Sequence, residues 1–140
     1  MLKIDGKIAA PIIITQEEWA KFPRTTVAAK GHDTQVAQYE GVPLKALLEK
    51  AGVLQADKAL RGKALLQYVI VSASDGYRVL FSAGELEDAT GATSNVLLAD
   101  KVDGKALGEH AAPLQLVVPS DKRNARCVRM VTSITVGAAE

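Results

Sequence analysis

The chain has a single cysteine, Cys127, among its 140 residues. One cysteine excludes an intrachain disulfide and any cysteine-rich zinc or iron–sulfur site. Only two histidines are present, His32 and His110, so an all-histidine metal triad is excluded as well. Seventeen basic residues face sixteen acidic ones, a net charge of +1. That balance gives no general attraction for nucleic acid or an anionic membrane, so any electrostatic function must come from local clustering. No apolar run approaches the ~20 residues of a membrane-spanning helix, and no signal peptide is visible. The opening Met1-Leu2-Lys3-Ile4-Asp5-Gly6 reads as folded domain and fits either a native start or a chain whose leader has been removed. No Gly-x-Ser-x-Gly elbow occurs, and no glycine-rich loop opens a helix, which argues against a serine hydrolase and a nucleotide-binding P-loop or Rossmann unit. Repeats, low-complexity tracts and linkers are absent too.

What is present suits one domain over residues 1–140, with 48% apolar residues to fill a core. Leu2–Ile4 and Ile8–Ile14 read as extended. Thr15 and Glu18 form a capping-box pattern, Ile14 can staple onto Trp19, and Pro23 stops this first helix. Strands are expected at Thr25–Lys30 and Gln35–Tyr39. A second helix should open with Pro43 at its first position. Leu44, Leu47, Leu48 and Ala51 share one face, Gly52 ends the helix, and Val53 closes back on Leu48. A short helix is expected over Ala56–Arg61, then a strand at Leu65–Ala73, a turn at Ser74-Asp75-Gly76 and a returning strand at Tyr77–Phe81. One helical turn follows at Gly84–Glu87. Further strands are expected at Asn95–Ala99, Leu114–Val118 and Val128–Val136, with a tight turn at Asp103-Gly104. Many short strands with two or three short helices, lacking strict strand–helix alternation, predict an α+β fold, mostly β, with mixed sheets.

Three segments carry candidate chemistry. Within Asp121–Arg129, four cations and one anion lie in nine residues, a composition suited either to a solvated loop or to an anion held by Lys122, Arg123 and Arg126. If the last strand runs without a bulge, Arg126 shares the apolar face of Val128, Met130, Thr132, Ile134 and Val136. An arginine there needs a partner, either a carboxylate such as Asp75 or a bound ligand. Ser74-Asp75-Gly76-Tyr77 is first a hairpin turn, but the Asp75 carboxylate could also accept two donors from the amino-imino edge of a polar heterocycle. His32, in Lys30-Gly31-His32-Asp33-Thr34, titrates near neutrality and could line the rim of a site. Cys127 reads as a small packed residue, although Arg126 and Arg129 would favour its thiolate.

Taken in order, Tyr39-Glu40-Gly41-Val42-Pro43-Leu44, Ser74-Asp75-Gly76-Tyr77, Val96-Leu97-Leu98-Ala99 with Asp103-Gly104-Lys105-Ala106-Leu107, Pro113–Pro119 and Arg126-Cys127-Val128-Arg129 resemble the oxidoreductase molybdopterin-binding domain. The resemblance runs from about Ile12 to Val136. It implies a sulfite-oxidase-type fold and a pterin or molybdopterin-like ligand. In the enzymes it resembles, a cysteine after the strand corresponding to Thr25–Lys30 ligates molybdenum. Here that place reads Gly31-His32-Asp33-Thr34, without cysteine. The expectation is therefore a non-catalytic binder of a pterin-type ligand, with Asp75, Tyr77, His32, Lys122, Arg123 and Arg126 as contacts and no metal ligand. The small stand-alone members it resembles imply a periplasmic regulator of a membrane-bound signalling partner. Two alternatives stand beside it. One is a minimal molybdopterin-dependent oxidoreductase or subunit, with His32 or Asp33 as ligand. The other is a scaffold that has lost the pocket.

Overall fold

Alternating apolar residues in the first and last segments of the chain meet in one sheet. A computed structural model describes residues 1–30, 35–55, 58–87, 95–121 and 124–139. Strand β1 (Leu2–Gly6) runs parallel to β10 (Val131–Ala138) and antiparallel to β2 (Ile12–Ile14). Beyond β10 come β5 (Gln67–Ala73) and β6 (Arg78–Ser82), both antiparallel, so the strand order is β2-β1-β10-β5-β6. One parallel pair among antiparallel ones makes this the expected mixed sheet.

The second sheet has the order β3-β4-β7-β8, built from Thr25–Lys30, Val36–Pro43, Leu97–Val102 and Lys105–Ala106. Strand β9 (Gln115–Val117) also pairs with β7. At Gly41 the register of β4 against β7 shifts. A Cβ on Gly41 would lie 2.0 Å from the carbonyl oxygen of Leu98, so this close crossing requires glycine. Both turn residues between β7 and β8, Asp103 and Gly104, have positive φ, as a two-residue hairpin demands.

The main core takes Leu2, Ile4, Val69, Val71 and Ile134 from the first sheet and Val42, Leu98 and Leu116 from the second. Helix α1 (Gln16–Trp19) adds Trp19, and α2 (Leu44–Lys50) adds Leu44, Leu47 and Leu48. A smaller cluster, Ala29, Tyr39, Leu97, Ala99 and Val117, lies on the other face of the second sheet. Strand alternation explains the division, since Leu98 points one way and its neighbours the other.

Most local expectations match. Thr15 Oγ1 accepts from the Glu18 amide, Gly52 has φ +83, and the Val53 amide donates to the Leu48 carbonyl at 2.9 Å. Pro43 stands one place earlier than expected, as the last residue of β4 and the cap of α2. The helix expected over Ala56–Arg61 differs more. Residues 58–61 are not helical, and a 3₁₀ helix covers Gly62–Leu66 instead. One cause is that the Leu60 amide donates to the Glu87 carboxylate at 2.9 Å, a partner outside any local helix.

The last strand begins at Val131, not Val128. Before it, the Val128 carbonyl accepts from Leu116 and the Val131 amide donates to Leu114, both beside the second sheet. After it, β10 bonds to β1 and β5 of the first sheet. A segment that changes sheets cannot keep one side-chain parity. Met130 takes φ +58, and the register shifts between Val131 and Ser133. The single apolar face expected from Arg126 through Val136 is therefore broken.

Candidate functional site

The crossover between β9 and β10 packs against the β5–β6 hairpin. Arg126 ends a short 3₁₀ helix, Asn124–Arg126. Its Nε and Nη2 donate to the two carboxylate oxygens of Asp121 at 2.9 and 2.8 Å, and Nη1 donates to Glu85 at 3.0 Å. The guanidinium carbon lies 4.4 Å from the centroid of the Phe81 ring. The hydrogen bond to Asp121 is the largest influence on its acidity. With the one to Glu85 it outweighs burial, so the guanidinium holds its proton even more firmly than usual. The carboxylate partners of Arg126 are thus Asp121 and Glu85, and not Asp75.

Glu85 belongs to α3 (Ala83–Leu86). There it completes a capping box, its second oxygen accepting from the Ser82 amide at 2.9 Å while Ser82 Oγ accepts from the Glu85 amide. The pattern Ser82-x-x-Glu85 signals that helix start in the sequence. It does not signal the pairing with Arg126, which spans 41 residues.

Tyr77 and the basic segment meet directly, because the Tyr77 hydroxyl donates to the Ala125 carbonyl. The Ser74 amide also donates to the Met130 carbonyl at 2.9 Å. Two of the three sequence-derived segments are therefore neighbours. Asp75 lies at the exposed hairpin tip, where Oδ1 accepts from the Tyr77 amide at 3.0 Å, a local turn bond. Half of Tyr77 remains exposed, 49%. His32, Lys122 and Arg123 lie outside the described residues. Two open cavities, of about 270 and 260 Å³, occur elsewhere, beside Phe22 and Lys50 and beside Val53 and Arg61. Of the described candidates, Asp75, Tyr77 and Arg126, none lines either.

Sequence reasoning missed a second charged network. Arg24 donates to Glu40 at 2.8 Å and to both oxygens of Asp100 at 3.1 and 2.6 Å, while Trp19 Nε1 donates to the same carboxylate at 2.9 Å. Burial alone would raise the Asp100 pKa, but the hydrogen bonds from Arg24 and Trp19 outweigh it and hold the carboxyl below its ordinary value. This cluster joins α1, β4 and β7 at the start of β3. No local motif announces it, since its members are up to 81 residues apart.

The fit of a thiolate-held metal can be judged from the donors. Cys127 is the only thiol, it is 7% exposed, and its Sγ accepts from Gln115 Nε2 at 3.3 Å. Burial, the largest influence, pushes its pKa up despite the opposing effects of Gln115 and Arg129. A buried protonated thiol is a poor metal ligand. Among the described residues, no three His, Cys, Asp or Glu side chains stand together as a metal site built from protein ligands alone would need. The described donor set does not fit a thiolate-ligated metal.

The comparisons agree with this architecture. The family model for the oxidoreductase molybdopterin binding domain matches residues 1–140. The chain is also similar to one in the crystal structure of the sulfane dehydrogenase SoxCD from Paracoccus pantotrophus, with 26% identity and a TM-score of 0.73. That likeness covers 99% of this chain and 39% of the solved one, so this chain spans well under half of its length. No curated protein matches. With one mixed sheet, one antiparallel sheet and three short α-helices among its described residues, the chain belongs to the oxidoreductase molybdopterin-binding domain family.

Proposed function

We propose that the chain binds a pterin-type ligand and does not hold molybdenum through a thiolate. The observation carrying this reading is the state of Cys127, which is buried, hydrogen-bonded to Gln115 and shifted toward the protonated form. A family member whose one thiol is turned inward keeps the scaffold for the organic part of the cofactor and loses the soft ligand for its metal. The ligand contacts assigned under this reading are Asp75 and Tyr77, with His32, Lys122 and Arg123 as further candidates. Asp75 has acceptor sites beyond the one its turn bond occupies, and these suit the donors on a pterin edge. The half-exposed Tyr77 ring offers a flat face for stacking.

Isothermal titration with a reduced pterin such as 6-methyltetrahydropterin tests the reading. Saturable binding that weakens at least tenfold in Asp75→Ala supports it, and no heat with the wild-type chain refutes it. A binder without chemistry of its own would act through a partner, and the proposal extends to a periplasmic role beside a membrane-bound signalling protein. Cell fractionation checks the compartment, and cross-linking to a membrane protein only when pterin is present checks the partner.

A second reading, an oxidoreductase domain or subunit, is favoured by the 26% identity to a sulfane dehydrogenase chain. It requires a metal ligand other than Cys127.

A further inference from the structure

Arg126 is the cation that the sequence marks most clearly for a ligand, yet each of its three nitrogens donates to a carboxylate. We infer that Arg126 is a positioning residue. It pins the β9–β10 crossover to the β6–α3 junction, and a bound ligand meets the hairpin tip, not the guanidinium. This assignment rests on the pterin-binding reading above and names how that site is held.

Three observations support it. The geometry is a two-point fork onto Asp121 with a third bond to Glu85, which fixes a planar guanidinium in orientation as well as place. Charge is the second. Two carboxylates flank the Arg126 guanidinium, so its own charge is already offset and it attracts an incoming phosphate or carbonyl oxygen less. The third is where the tether leads. Glu85 follows β6, and Tyr77 precedes it, its hydroxyl bonded to the Ala125 carbonyl beside Arg126. The crossover is thereby fastened at both ends of β6, and the half-exposed Tyr77 ring is held against it. Loosening Arg126 frees the backbone acceptor on which Tyr77 depends.

The test uses the sign of an affinity change. The probe is dihydroneopterin monophosphate, an anionic reduced pterin, titrated by calorimetry into the wild-type chain, Asp121→Asn, Glu85→Gln, Arg126→Lys and the Arg126→Lys/Asp121→Asn double variant. These substitutions preserve side-chain size, and circular dichroism checks that each variant folds. If Arg126 positions the site, Asp121→Asn and Glu85→Gln each weaken binding about fivefold or more. Arg126→Lys does the same, and the double variant is no weaker than the worse single one, because all act through one tether. If Arg126 contacts the ligand, removing a competing carboxylate frees it, and Asp121→Asn binds tighter; that outcome overturns the inference. Unchanged affinity in variants whose Tm has fallen overturns it too, since the tether would then serve stability alone. Absence of binding by the wild-type chain overturns the pterin-binding reading itself and this assignment with it.

Discussion

A thiol at position 127 loses reactivity by being buried, whatever cations flank it in sequence. Arg129 favours the thiolate, but desolvation is the larger influence. The native protein should therefore react with a thiol reagent at neutral pH at least a hundredfold more slowly than it does in denaturant, as a chromogenic disulfide assay would show. Equal rates would mean that Cys127 is accessible. A second residue-scale prediction concerns Gly41. Its substitution by alanine puts a methyl group against the Leu98 carbonyl, and the backbone of β4 and β7 must part. The expected loss is about 3 kcal/mol, read as a fall in Tm of roughly 10 °C. The glycine itself was visible in the sequence, within Tyr39–Leu44. Its reason, a neighbouring backbone at 2.0 Å, was not, because that neighbour lies 57 positions away at Leu98.

Among the elements, those defined by local chemistry were legible. The cap at Thr15, the left-handed stop at Gly52 and the two-residue turn at Asp103-Gly104 each follow from residue types within a few positions. The start of β10 was misplaced because parity presumes one sheet throughout, and the chain changes sheets between Val128 and Val131. The helix expected before Gly62 failed for a related reason, a long-range bond from Leu60 to Glu87. The ties between elements carry their own prediction. Asp100 has a lowered pKa, so its contribution to stability is fully present above the unfolded carboxyl value and is lost as pH falls through the folded one. Stability should decline below about pH 4. Asp100→Asn should cost about 2 kcal/mol at pH 7 and flatten part of that decline. Trp19, the only tryptophan, donates to Asp100 and reports the change through its fluorescence in urea titrations at pH 7 and pH 3. An unaltered pH dependence in the variant would remove Asp100 from the account.

Over the whole molecule, the class of fold was legible because one mixed and one antiparallel sheet need only many short apolar strands and few helices. The site was legible in its parts and not in its assembly. The turn at Asp75 and the basic segment stood out separately, while the partners Asp121 and Glu85 that bind Arg126 become apparent only when the crossover lies on the hairpin. The family scaffold and the buried thiol together make the central claim, a pterin-type binder without thiolate-held molybdenum. The most direct measurement is molybdenum per chain, by mass spectrometry of protein purified from a molybdenum-replete host. The account predicts a ratio far below one, unchanged in Cys127→Ser. One molybdenum per chain, lost in that variant, would contradict it.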